Sequence, residues 1–454
     1  MSFSTGSKFI VGINKGWFGG KFDNDLGFNQ FSIGRLYRAN IPDPSLPDPN
    51  PSIPYISSHP EELTNFFKEI LGIQELPNPN PNPPVFTSST QIVRVWAFER
   101  FEGLKFDNNR DIIGIDNEIL SNLGKVFNAA KKYRISIYLC LFDTWSIYQN
   151  APSQLITEGK EQNYIQLQQT WKEIMKKLLE NSTAREQFFN NALLPLLNSI
   201  SEQTNLFAID VMNEPEGLTT KDPTIRFSDI KDYIKLCANY IHSHNTGIRV
   251  SCGFQRYTTA KNNANDLAEN LDFFDFHEYN KDGKLGTYRS SEFAGKPCIV
   301  GECGYPVGEV NEPSNTSLAT KNFLENSHSK GYAGCIPLLE DDKNKKGIIL
   351  EINEFAKKDP SIMEETKPGC FIATAAMGSE LHPHVQFLRD YRDSVILKSS
   401  YRGQFLKILD FYYTFSPPIA LKMEKNKLTK FVIKYTTVYP IIAGLKILTK
   451  IVGK

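Results

Sequence analysis

The 454-residue chain contains no run of 18 or more uninterrupted apolar residues, so no segment of it reads as a membrane span. Its opening, MSFSTGSKFIVGINKGW, lacks the basic stretch, long apolar core and small-residue cleavage site of a secretory signal, and a cytoplasmic location is the expectation. There is no CxxC pair. The seven cysteines, Cys140, Cys237, Cys252, Cys298, Cys303, Cys335 and Cys370, form an odd set, several of them inside apolar runs, which favours reduced core thiols over disulfides or a metal centre. Neither a metal nor a cofactor is expected. A surplus of charge is also missing: 51 Lys+Arg balance 51 Asp+Glu.

That balance conceals an asymmetry. From Lys367 to Lys454 there are 14 basic and 5 acidic residues, a net of +9, which leaves 37 against 46, a net of −9, for everything before. The acidic first part carries no recognised nucleic-acid motif, so nucleic acid is not an expected partner. The basic segment suits an acidic partner or an anionic membrane surface, or simply a small helical domain whose lysines face water.

Hydrophobic residues make up 40% and charged residues 22%, ordinary globular values for a chain long enough for a large domain and a smaller one. Two Pro- and Asn-rich runs, Ile41 to Pro54 and Leu76 to Pro84, exclude helix and central strand, because Pro lacks an N–H and restricts the residue before it. Between them Pro60-Glu61-Glu62 followed by Leu63, Phe66, Phe67, Ile70 and Leu71 has a helical start and helical spacing. Short apolar runs then alternate with helical stretches. Strands are predicted near Phe9–Ile13, Ile92–Trp96, Ile135–Leu141, Phe207–Met212, Ile248–Cys252, Phe273–Phe276, Cys298–Gly301 and Tyr332–Ile336, with helices clearest over Glu118–Tyr133, Asn163–Glu180, Ile230–His244 and Ile348–Ala356. Alternating strand and helix with eight strands predicts an α/β fold, a (β/α)8 TIM barrel. The expected organisation is a barrel over 1–356, a linker over 357–369 and a basic, mainly helical C-terminal domain over 370–454.

Active sites of such barrels form at the C-terminal ends of the strands. Two glutamates stand there: Glu214, in Asp210-Val211-Met212-Asn213-Glu214-Pro215, and Glu302, in Val300-Gly301-Glu302-Cys303. A carboxylic acid that protonates a leaving oxygen and a carboxylate that attacks an oxocarbenium-like carbon are what glycoside hydrolysis requires. Each feature alone has a plainer reading: an Asn-Glu-Pro can punctuate any strand end, Arg94 can be a structural ion pair and His277 a satisfied core histidine.

The Asn-Glu-Pro ending strand four, with a Glu ending strand seven, resembles the clan A glycoside hydrolases, closest to the family 5 cellulase and mannanase group, over about Phe9 to Ala356. The resemblance implies a retaining hydrolase of β-linked glucan, mannan or a related glycoside, with Glu214 as acid/base and Glu302 as nucleophile. It further implies that Asn213 bonds a sugar 2-hydroxyl, that Arg94 braces the nucleophile, and that His277 and Tyr279 sit beside the two carboxyls. Arg94 is expected to favour ionised Glu302 while a more enclosed Glu214 keeps its proton. Trp17, Trp96 and Trp145 near strand ends are candidate sugar-stacking walls, or core; Trp171 reads as packing. Asn14 and Asp143 are strand-end groups suited to sugar hydroxyls. One departure stands out: the family's Trp after strand eight has no counterpart in Gly334-Cys335-Ile336-Pro337-Leu338-Leu339. The rival reading is therefore a catalytically silent sugar-binding barrel tethered by its C-terminal domain.

From Cys370-Phe371-Ile372-Ala373-Thr374-Ala375-Ala376-Met377-Gly378, with His382-Pro383, Tyr412-Tyr413 and Ser416-Pro417-Pro418, the last part resembles the CFI-box C-terminal domain appended to varied microbial proteins. Cys370, His382 and His384 are a weak set of metal ligands, since they lack a recognised spacing.

Overall fold

The computed structural model describes residues 9–19, 24–38, 43–71, 90–133, 135–201, 203–245, 247–306, 313–339 and 342–358, and then 371–377, 383–396 and 426–452 with positions 404, 405, 408, 412 and 423. The proline run Leu76 to Pro84, all but the first two residues of the expected linker, Cys370 and His382 lie outside the described residues. Two compact units are formed, Met1–Met363 and Glu364–Lys454.

The first unit is a closed parallel barrel of eight strands: β1 (Ile10–Asn14), β2 (Ile92–Trp96), β3 (Ser136–Cys140), β4 (Leu206–Asn213), β5 (Val250–Phe254), β6 (Phe274–Tyr279), β7 (Cys298–Gly304) and β8 (Gly334–Pro337). Each strand pairs with its sequence neighbours, and β1 closes the ring against β8 through Ile10 opposite Gly334 and Val11 opposite Cys335. Alternation sorts the side chains. Val11, Ile13, Val93, Val95, Ile137, Leu139, Val250 and Phe276 join the large outer core under the helices, whereas Ile10, Ile92, Tyr138, Ala208, Ile299 and Ile336 form a separate apolar layer inside the ring.

The helices follow their sequence signals where those are strong. Glu61–Ile70 buries Leu63, Phe66, Phe67 and Ile70, each worth about 1.5–3 kcal/mol when fully removed from water. Asn117–Lys132 starts where the Asp116 carboxylate accepts from the Ile119 N–H, and its last turn carries Lys131 and Lys132 at the negative end of the dipole. The long insertion between β3 and β4 is helical, with Glu161–Glu180 followed by Ser182–Phe188 and Leu194–Ile200. Helices Tyr257–Leu267 and Pro313–Ser329, and a hairpin pairing Leu104–Phe106 with Ile112–Ile115, were not among the predicted elements. The final barrel helix, Asp342–Lys358, runs two residues beyond the expected domain end.

The second unit is helical where described: Phe371–Met377, Pro383–Tyr391 and a continuous stretch from Lys427 to Val452 that loosens to π geometry over Lys434–Val438. A small core of Ala373, Ala375, Ala376, Met377, Val385, Met423, Val438 and Ile442 holds it.

Candidate active site

Glu214 follows β4 directly, and Glu302 lies within β7, opposite His277 of β6. Both carboxyls are nearly inaccessible, each residue 6% exposed. One oxygen of each and a ring nitrogen of His277 all lie within 4.8 Å of one another. The Glu214 backbone has φ of 47°, a left-handed conformation that costs a non-glycine residue about 1–3 kcal/mol. It is held there by its own N–H to the Gly253 carbonyl (2.6 Å) and by the Thr144 hydroxyl donating to its carbonyl (2.6 Å).

Every oxygen of the pair has a partner. Glu214 Oε1 lies 2.7 Å from His277 Nδ1, and its Oε2 accepts from Trp145 Nε1. Glu302 Oε1 accepts from the Tyr279 hydroxyl (2.5 Å), and its Oε2 accepts from Asn14 Nδ2 and from Arg94 Nη1 (3.2 Å). Arg94, fully buried on β2, also donates through Nη2 to Asp210 (2.5 Å) and to Asn213 Oδ1 (2.7 Å). Beneath it the Tyr138 hydroxyl donates to Asp275 (2.9 Å).

Burial governs the proton affinities. It pushes the Glu214 carboxyl up to about 7, helped by the charge of Asp143 and opposed by the Trp145 N–H and by Arg94. Burial raises Glu302 as well, with Glu214 adding to the rise; the neighbouring His277, Arg94, which was expected to favour the ionised form, and the Tyr279 hydroxyl limit it. His277 is lowered to about 4 because a buried imidazolium is penalised more than Glu302 stabilises it, so the ring is neutral at pH 7. Burial raises Asp275 well above its ordinary carboxylate value, opposed by the Arg94 charge and reinforced by Asp210.

The structure brings Glu214, Glu302, Asn213, Arg94, His277, Tyr279, Asn14 and Trp145 to one place as two hydrogen-bonded sets: Asn14, Tyr279, Arg94 and, through Arg94, Asn213 around Glu302, and Trp145 and His277 around Glu214. Asp143, read from sequence as a group for hydroxyls, spends both oxygens internally: it accepts from Asn213 Nδ2 (2.7 Å) and from the Ser146 N–H (2.7 Å), and so orients Asn213. Trp96 is buried against half-buried Trp17, ring centroids 5.5 Å apart, so Trp17 is the more accessible of that pair. Trp171 is fully buried, its N–H on the Phe31 carbonyl, as a packing residue.

Asp210, Asp275 and Tyr138 belong to the site's support and were not singled out from sequence. Their signal was present: an acidic residue at an inward position of an otherwise apolar strand, as in Ile209-Asp210-Val211 and Phe274-Asp275-Phe276. Beside the pair opens a cleft of about 350 Å³ lined by Gln255, Arg256, Tyr257, His277, Glu278, Tyr279 and Tyr288. Glu214, His277 and Glu302 are also the donors, among the described residues, that could together take a divalent ion. The six described cysteines are buried free thiols, with Cys303 and Cys335 Sγ 3.5 Å apart.

No protein-family model matches the chain. A curated relative, the mannan endo-1,4-beta-mannosidase of Mytilus edulis, is 21% identical over 285 residues, covering 53% of this chain and 70% of that protein. Among solved structures, a beta-1,4-mannanase from the sea hare Aplysia kurodai superposes with a TM-score of 0.53 at 17% identity, over 78% of this chain and 94% of its own. A beta-1,4-D-mannanase from Cryptopygus antarcticus does so with a TM-score of 0.51 at 16% identity, over 77% and 90%. At these identities the solved structures establish the shared barrel fold.

Proposed function

We propose that the first unit is a retaining glycoside hydrolase acting on β-linked polysaccharide, with β-1,4-mannan the foremost candidate. Glu302 is the nucleophile and Glu214 the acid/base. The observation that carries the reading is the close approach of two strand-end carboxyls in unequal settings, one oxygen of each lying within 4.8 Å of the other. Retaining enzymes need about 5–5.5 Å, whereas inverting ones leave about 6.5–9.5 Å for a water. The mannan preference rests on the named relative and on nothing in the cleft itself.

In the first step Glu302 attacks the anomeric carbon while Glu214 gives its proton to the glycosidic oxygen. The C–O bond to the leaving sugar breaks as the glycosyl-enzyme ester forms. In the second step Glu214, now ionised, takes a proton from water, whose oxygen displaces Glu302 from the same carbon. Arg94, Asn14 and Tyr279 hold Glu302 in its attacking orientation and stabilise the carboxylate when it departs. Asn213, fixed by Arg94 and Asp143, retains one amide hydrogen for the sugar 2-hydroxyl.

The test is a screen of aryl β-glycosides and β-glycans with the intact protein and with Glu302→Ala. Hydrolysis of β-mannosides or mannan with retained anomeric configuration, lost in the variant, is expected. Glu214→Gln is expected to slow glycosides with poor leaving groups far more than activated aryl glycosides. Equal losses on both would contradict the acid role, and sugar binding without turnover would establish the silent barrel.

A further inference from the structure

The C-terminal helix exposes an apolar surface that the hydrolase reading does not use. Between Phe431 and Gly444 every exposed position is uncharged, and Phe431, Val432, Tyr435 and Ile441 are 61%, 46%, 53% and 49% exposed. Phe431 meets Tyr435 in a tilted contact (4.6 Å between centroids) and Tyr435 meets Tyr439 edge-on (5.2 Å), an aromatic ladder one helical turn per rung. Exposed apolar side chains gathered on one helix mark a candidate contact surface. From Lys425 to Lys454 there are seven lysines and no Asp or Glu. Lys434 lies over the Tyr439 ring and Lys446 over Phe387, so their stems cover apolar surface beside the patch.

We infer that this helix face docks onto an anionic lipid surface. Three observations select that occupant. Lysines flank a partly aromatic strip whose exposed positions are uncharged and whose single lysine, Lys434, is half-buried over Tyr439, the pattern of a helix lying in the headgroup boundary rather than across the bilayer. No helix among the described residues is long and apolar enough to cross a membrane. A second copy of the chain would bring two segments of net +9 together, which like-charge repulsion opposes. The aromatic rungs supply the interfacial anchor, and the lysines supply the selectivity for acidic headgroups.

The experiment is co-sedimentation of the full-length protein with vesicles of phosphatidylcholine alone or with about a third phosphatidylglycerol. Binding to the acidic vesicles only is expected, falling severalfold as salt rises from about 50 to about 300 mM because exposed charges are screened beyond about 8–10 Å. Phe431→Ser with Tyr435→Ser is expected to lower partitioning at least tenfold. Lys430→Gln with Lys446→Gln is expected to lower it severalfold, while neither pair changes the circular dichroism. Equal binding to neutral vesicles, or binding indifferent to the aromatic pair, overturns the inference. So does a concentration-dependent dimer, seen by light scattering, that the aromatic substitutions abolish.

Discussion

Glu214 and Glu302 are the same side chain in different company. Glu302 is held by a guanidinium, an amide and a phenol, Glu214 by an indole N–H and a neutral imidazole, and only the first set carries formal positive charge. With its carboxyl pushed up to about 7, Glu214 carries a proton over much of the neutral range. For substrates with poor leaving groups, kcat/KM is therefore expected to fall as pH rises through about 7, whereas activated aryl glycosides keep their rate there. The same shift has a cost in stability. Folded Glu214 binds a proton that the unfolded chain, with an ordinary value of 4.5, has released, so between those values stability decreases as pH rises. Glu214→Gln removes that penalty, and its unfolding free energy relative to the unaltered protein is expected to be higher at pH 8 than at pH 5, by on the order of 1–3 kcal/mol, measured by denaturant unfolding. A difference that does not move with pH would mean that Glu214 titrates normally.

At the scale of the element, the strands were legible because a parallel sheet covered on both faces writes itself as short apolar runs. All eight predicted strands are present, and β2 has the predicted ends. Helices Tyr257–Leu267 and Pro313–Ser329 escaped notice because Asn, Thr and Ser fill them and blur the apolar stripe. The hairpin at Leu104–Phe106 is too short to stand out. The meeting of Glu214 and Glu302 was readable because side chains at strand ends of such a barrel converge, while the bond from Asn213 to Asp143 was not, since a side chain's partner seventy positions away is a product of the fold. The layer beneath the site shows the same limit. Gly301 of β7 leaves room for Asp275: an added Cβ would stand 2.0 Å from both carboxylate oxygens. Gly301→Ala is expected to destabilise the barrel by roughly 1–3 kcal/mol, measured by denaturant unfolding, by forcing Asp275 and its Tyr138 bond to shift. An alanine accepted without loss would show that Asp275 is not pinned there.

The whole molecule is two units of opposite charge, and the group assembled around Glu214 and Glu302 is drawn entirely from the first. A chain ending near Pro368 is expected to keep kcat/KM on small soluble glycosides within about twofold, because strands that close a barrel need nothing beyond their own ring. Loss of hydrolysis in a shortened chain that remains folded would assign the second unit a part in the site. Within the first unit, the contact between Asn14 and Glu302 joins residues 288 positions apart. At ribosomal rates of about 5–20 residues per second, the amide that holds the nucleophile is made roughly 15 to 60 s before the nucleophile exists. No nascent or prematurely terminated product shorter than that span can carry the carboxyl pair, so the proposed site is completed late in the chain's synthesis, with the closing strands.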